Sequence, residues 1–314
     1  MSRKVRSFLF KIFILGCMIV SADFVAGLLL KKLFYKQRSG KYFITSHALT
    51  NPQEQVMIFG NSHAAQHFDA PLLQKELGES VFNFGNQGQS LFYVYPILKV
   101  ILASHKPKLI LLNVDYTELR HEDADYERLS VFLPYYKIDP VIDSAIAMSG
   151  KNEQIKAMSA MYRFNSTIGY MLLNTFGHSY NKSMESLGYD PFYDNICKTG
   201  VVDDVNPSIS QRVNFDTLKM NCLMKIIRII KAADVKLLVT TTPLFEYNGA
   251  EAGLYRKKLI EIFKTLNVRY LDYGTDSDFS GKCDLFHDVS HMNALGADKW
   301  TTLCADLIKK DISR

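Results

Sequence analysis

Five short apolar runs limit what this chain can fold into. Residues 56–59, 81–84, 109–114, 235–240 and 268–271 are four to six residues long and dominated by Val, Ile, Leu and Phe. Runs of that length and character read as buried strands. Stretches with helical spacing lie between them, at about 70–77, 90–104, 211–232, 251–265 and 293–309. Strands that alternate with helices imply a parallel sheet covered by helices on both faces. Each run closes on Gly, Asn, Asp or Pro, which places polar groups at the carboxyl ends of the strands, where open α/β sheets hold their active sites.

The N-terminus follows a different rule. Residues 12–30 carry one charge, Asp23, and are flanked by Arg3, Lys4, Arg6 and Lys11 before and by Lys31, Lys32, Lys36 and Arg38 after. As a helix the run is about 28 Å long, close to the hydrocarbon thickness of a bilayer. A cleaved signal peptide fits poorly at Ser21-Ala22-Asp23, and a lipoprotein signal at Leu15-Gly16-Cys17 fails because apolar sequence continues past the cysteine. An uncleaved signal anchor is expected, with residues 1–40 as the anchor and its basic flank and 41–314 as the globular domain. An Asp in the membrane costs about 2.5–3.5 kcal/mol, so Asp23 marks either a helix partner or a position near the interface.

The formal charge of +5 is unevenly placed. Residues 1–40 hold eight of the 37 basic residues and one of the 32 acidic ones, so this segment carries +7 and the rest of the chain −2. A mildly acidic domain has no net attraction for nucleic acid, and the basic flanks suit anionic lipid. The expected partners are therefore a lipid bilayer and a small substrate, with no nucleic acid.

Residues 120–208 break the alternation. Their acidic start and their aromatics, among them Tyr162, Phe164, Tyr170 and Phe176, are expected to form a largely helical insertion or cap over the sheet's active edge. Five scattered cysteines give no metal site or disulfide framework. Buried free thiols are the expected reading, with one bridge among the last four as the alternative. His63, His67, His121 and His287 lack a metal-ligand pattern and read as pocket-lining or surface residues, so neither metal nor cofactor is expected.

Three short blocks carry chemistry. The first strand run ends in Phe59-Gly60-Asn61-Ser62-His63, which sets a serine hydroxyl on a strand-to-helix turn. Near the C-terminus stands Asp288-Val289-Ser290-His291, whose spacing lets a carboxylate accept the Nδ1 proton and present Nε2 to a nucleophile. After the second strand comes Asn83-Phe84-Gly85-Asn86-Gln87-Gly88, where the Gly88 N–H joins that of Ser62 as an oxyanion donor. Asn61 and His63, beside the serine, are candidate substrate contacts.

In order and spacing these blocks resemble the SGNH (GDSL-like) hydrolase superfamily, from about residue 56 to the last helix. The tail His291-Met292-Asn293-Ala294-Leu295-Gly296-Ala297 is similar to that of membrane-anchored bacterial members. The anchor and Leu133-Pro134-Tyr135-Tyr136 look like a Bacteroidetes-type group of them. The resemblance implies a three-layer α/β/α, flavodoxin-like fold of about five parallel strands, preceded by one transmembrane helix. It implies a Ser62–His291–Asp288 triad in a serine esterase or O-acetyltransferase acting on O-acetyl groups of cell-envelope glycans. The domain would face outward from a bacterial inner membrane, and acyl transfer would need a membrane acyl-transfer partner, for which Asp23 offers a contact. The chain departs from the family at the third block, where the usual Asn position falls on Thr117. Thr117 or Asn113 would then supply a third oxyanion donor. The alternative reading is a catalytically weak or inactive, membrane-tethered glycan-binding or assembly protein that keeps the fold.

Overall fold

The five apolar runs pair into one parallel sheet in this computed structural model, which describes residues 2–50, 52–175, 183–199, 214–246 and 250–312. The strands are β1 (Val56–Phe59), β2 (Val81–Asn83), β3 (Leu109–Asn113), β4 (Lys236–Thr241) and β5 (Arg269–Asp272), in the order β2-β1-β3-β4-β5. This is the flavodoxin-like order, which reverses between β1 and β3. Val56 lies opposite Val81 on one side and Leu109 on the other, so the carboxyl ends of the first three strands finish level.

Both faces of the sheet are covered, as a parallel sheet requires. Val56, Ile58, Leu109, Leu111 and Leu238 face a core built with Phe68, Leu73, Trp300 and Ile308. The alternate residues Met57, Phe59, Ile110 and Leu112 are fully buried as well. The helices are α1 (Arg3–Phe34), α2 (Gly40–Thr50), α3 (Ser62–His67), α4 (Ala70–Leu77) and α5 (Leu91–Ser104), followed by Thr217–Ala232, Ala250–Thr265 and Ala294–Ile312 and shorter turns between them. Local chemistry sets their ends. Asp69 caps α4 by accepting the Leu72 N–H at 2.7 Å, and Gly78 closes it at φ +67°. Asp216 caps Thr217–Ala232 through the amides of Leu218 and Lys219. The expected start of that helix, 211–213, lies outside the described residues, and α2 was not foreseen.

The chain divides into two compact units. One comprises Met1–Gln37 with Ser130–Ser179, and the other Arg38–Leu129 with Tyr180–Arg314. The stretch read as one insertion is thus split: Ser130–Ser179 belongs with the N-terminal helix, and its flanks belong with the sheet. Phe176 and residues 200–208 lie outside the described residues. In the first unit Phe34 of α1 packs edge-on against Tyr135, at 5.5 Å between ring centres, and against Phe164 at 5.6 Å. The helix α1 is long and apolar enough to cross a membrane.

Cys197 and Cys283 form a disulfide, their Cα atoms 5.2 Å apart. This corrects the expectation of free thiols at those two positions. Their separation of 86 residues gives no local sign of pairing. Cys222 and Cys304 are buried free thiols, and Cys17 is exposed on α1.

Trp300 is fully buried against Phe68, Tyr273 and Phe279. Trp300→Ala is expected to cost about 3–5 kcal/mol of stability, read as a lower urea midpoint of the sheet unit.

Candidate active site

The turn after β1 is built around glycine. Gly60 has φ +149°, and a Cβ there would lie 2.8 Å from the Ala64 Cβ and 2.9 Å from the Asn113 carbonyl oxygen. The chain therefore bends closely over β3, and Asn61 caps the next helix by accepting the His63 N–H at 2.9 Å. Ser62 is the first residue of α3, where an amide has no intrahelical acceptor.

The C-terminal loop brings the other two groups to it. A bridge between Phe286 and Met292 pinches residues 287–291 into a tight turn. Asp288 Oδ1 accepts the N–H groups of Ser290 and His291, each at 2.7 Å. The same carboxylate takes the Nδ1–H of His291, at 2.9 Å to Oδ2 and 3.1 Å to Oδ1. With that proton held on Nδ1, Nε2 keeps its lone pair and accepts the Ser62 hydroxyl at 2.9 Å. Burial would raise the Asp288 pKa. The hydrogen bond and charge of His291 and the two amides outweigh it and hold the carboxyl well below the usual range.

The tail after His291 locks this loop. Asn293 donates to the Asp284 carbonyl at 2.7 Å and caps the last helix through the Gly296 N–H at 3.0 Å. Gly296 must be small, because a Cβ there would lie 2.2 Å from the Leu285 carbonyl oxygen. A segment invisible to motif reading straps the loop from outside. The Phe192 ring stacks on His287 at 3.8 Å, Asp194 pairs with the His287 Nδ1, Ile196 N–H donates to Phe286 at 2.9 Å, and the Cys197–Cys283 bridge closes the strap.

Asp115, two residues past β3, is a hub that the sequence reading missed. It accepts the Nδ1–H of His63 at 2.7 Å, the side-chain amide of Asn113 at 3.0 Å and that of Asn61. Burial alone would push it up, but the His63 charge and these donors hold it below the ordinary carboxylate value. The two candidate substrate contacts, Asn61 and His63, are thus both turned to Asp115. His63 is buried and stacks on His67 at 4.7 Å, with His291 edge-on at 5.2 Å. His67 is fully buried: its Nε2 accepts the Met292 N–H at 2.9 Å and its Nδ1 faces Thr242 Oγ1 at 2.8 Å. Burial and the neighbouring His63 and His291 push its pKa well down, so it stays neutral. His121 pairs with Asp216 and Asp123, away from these three.

A cleft of about 160 Å³ opens beside Ser62, lined by Asn61, Gly88, Gln89, Ser90, Thr117, Glu118 and Arg128 among others. Gly88 has φ +69°, which a side chain would strain, and its carbonyl accepts from Arg128 at 3.1 Å. Thr117 lines the cleft. Asn113 does not: it is buried, donating to Asp115 and accepting from Thr240 and Thr242 at 3.3 Å. The buried oxygens Gln89 Oε1 and Ser90 Oγ have no partner among the described residues. Burial, with Asp115 and Asp125 nearby, pushes Glu118 up to about 8 against the pull of Lys219. Glu118 is therefore a neutral acid at pH 7 and can donate a hydrogen bond.

No family model matches the sequence, and no curated protein does. Among solved structures, the chain is similar to a GDSL-like lipase from Bacteroides thetaiotaomicron, at 12% identity and TM-score 0.43, covering 86% of this chain and 97% of that one. It is also similar to a lipase/acylhydrolase from Enterococcus faecalis (11%, TM-score 0.38, 82% and 95%) and to an acetyl xylan esterase (11%, TM-score 0.40, 82% and 99%). At these identities the functional reading rests on the site itself.

A carboxyl whose pKa is raised on folding stabilises the protein below its unfolded value, and that contribution is lost as pH rises through the folded one. Glu118→Gln is therefore expected to raise Tm relative to the unsubstituted chain at about pH 9 and to change it little near pH 4. Scanning calorimetry across that range checks it.

Proposed function

We propose that this chain is a membrane-anchored serine acyl-ester hydrolase or O-acyltransferase of the SGNH type. The observation that carries this reading is the continuous line of hydrogen bonds from Ser62 Oγ through His291 to Asp288. Ser62 Oγ attacks the ester carbonyl carbon while its proton passes to His291 Nε2, and Asp288 stabilises the imidazolium. The carbonyl oxygen gains the negative charge and is met by the N–H groups of Ser62 and Gly88, with the Thr117 hydroxyl beside them. Collapse breaks the carbon–oxygen bond to the alcohol, which leaves with the proton from His291, and an acyl-Ser62 remains. Water then attacks with His291 as base, which gives hydrolysis. A sugar hydroxyl attacking instead gives acyl transfer.

The cleft supports a short acyl group on a hydroxyl-rich alcohol. Its lining among the described residues is polar, with Gln89, Ser90, Glu118 and Arg128 able to meet hydroxyls and no apolar side chain among them to take a long chain. An O-acetylated envelope glycan fits that description. The apolar α1 with its basic flanks supports anchoring in a bacterial inner membrane. The Cys197–Cys283 bridge supports an oxidising, extracytoplasmic setting for the site.

Acetyl release from an aryl acetate by the full chain in detergent tests the triad. Ser62→Ala and His291→Ala are each expected to lower kcat by on the order of 10²–10⁴, and Asp288→Asn to do so with little change in KM. Equal rates in all four proteins would leave the non-catalytic glycan-binding reading in its place. In intact cells, a membrane-impermeant thiol reagent is expected to label Tyr193→Cys, which stands exposed in the sheet unit.

A further inference from the structure

Asp23 has its partners within its own chain. It accepts the Ser159 hydroxyl at 2.6 Å and the N–H groups of Ala160 and Met161 at 2.7 and 3.1 Å. One turn later, Gly27 lets this segment sit directly on the helix: a Cβ there would be 2.3 Å from the Ala160 Cβ. Asp23, Ala26, Gly27, Leu30 and Phe34 form the covered stripe of α1, at the three- and four-residue spacing of one helix face. Every other face of α1 remains apolar and exposed at this level, through Phe24, Val25, Leu28 and Leu29.

The docked segment has the same character. Ile155 and Met158 are 66% and 68% exposed, and Met161 and Ile168 are exposed beside them. Lys156 and Arg163 are held to the protein, by Glu153 at 2.7 Å and by the Ala157 carbonyl at 2.7 Å. Asp23 lies about 10 Å before Leu30, the end of the uncharged run. A carboxylate with three donors travels with those donors, because separating them would leave the charge unpaired in an apolar layer. Wherever α1 places Asp23, residues 155–161 go as well.

We infer that residues 155–168 dock into the headgroup–acyl boundary of the bilayer alongside α1, with Ile155, Met158 and Met161 entering the lipid. The occupant of this apolar face is therefore lipid. Two observations favour it over a second protein. The segment sits directly on α1 at Gly27 and Ala160, where the neighbouring side chains of the helix are exposed and apolar. Lys31, Lys32 and, just past the helix, Lys36 follow at the end where anionic headgroups would lie. The expected depth is about 5–10 Å, that of an interfacial amphipathic segment. The inference rests on α1 being the membrane anchor proposed above.

The test uses the full chain with Cys17→Ser, since Cys222 and Cys304 are buried and Cys197 is bridged to Cys283. An environment-sensitive fluorophore is placed at Met158→Cys, at Phe13→Cys in the span, or at Tyr193→Cys in the sheet unit. Each protein is reconstituted in vesicles of zwitterionic and anionic phospholipid. Lipids carrying a spin label near the headgroup are expected to quench the Met158 position at least about twofold more than lipids labelled near the midplane. The Phe13 position, one residue inside the other end of the uncharged run, is expected to be quenched by lipid as well, and Tyr193 to show little quenching. Asp23→Ala is expected to lower quenching at Met158 and leave Phe13 unchanged. Quenching at Phe13 with none at Met158 beyond that of Tyr193 overturns the docking and leaves the anchor standing. No quenching at either Met158 or Phe13 overturns the anchor, and the docking with it.

Discussion

Parallel pairing of β1 with β2 and β3 in level register is the constraint on which the site depends. Val56 stands opposite both Val81 and Leu109, so all three strands end at one edge, and whatever follows each strand meets there. The Gly60–Ser62 turn, the Gly85–Gly88 turn and the Asn113–Thr117 turn are those sequels. Because the strand order reverses between β1 and β3, a crevice opens at that point, and the cleft beside Ser62 lies in it. The His291 loop reaches the same edge from beyond β5, and Met292 ties it there through His67.

That tie explains why three histidines stand together with different roles. His67 must be neutral to accept from Met292 with Nε2, so it serves as a spacer between α3 and the 287–291 loop. His63 is held by the Asp115 carboxylate, whose charge and hydrogen bond raise its pKa against the effect of burial. The ring nitrogen hydrogen-bonded to Ser62 is Nε2 of His291. Three imidazoles within 6.4 Å of one another would repel if all were protonated; fixing one as neutral and pairing another avoids this.

Features that rest on local pattern were legible in the sequence. All five strands were placed within about one residue of their observed ends, because buried strands need only a short apolar run. Ser62 was legible from a glycine two positions earlier at a strand end, and Asp288 with His291 from a three-residue spacing that one turn can satisfy. Features made by distant segments were not. Asp115 gathers Asn61 and His63 from more than 50 residues away, and its surroundings, Val114 and Tyr116, look like the end of any strand. The Cys197–Cys283 bridge spans 86 residues, and the surroundings that set the Glu118 pKa include Lys219, about a hundred positions along the chain. The split of the 120–208 stretch had the same cause, since Ser159 meets Asp23 across 136 positions.

Carboxylates with several donors fasten much of this chain. Asp288 holds the 287–291 loop and Asp115 the turns after β1 and β3. Asp216 takes Tyr126 at 2.6 Å, His121 at 2.8 Å and two helix amides, joining the segment after β3 to the helix before β4. In all three, burial raises the pKa and the donors lower it further than burial raises it, so each sits below its unfolded value. Groups of that kind stabilise the fold above the unfolded carboxylate pKa of about 3.9 and lose their contribution together as pH falls through the folded values. Glu118 runs the other way, favouring the fold while protonated and opposing it as pH rises towards about 8. The two trends enclose a window from roughly pH 4 to pH 8. Within it the fasteners are charged, Glu118 is neutral, and the cleft beside Ser62 keeps both its shape and its hydrogen-bond donor.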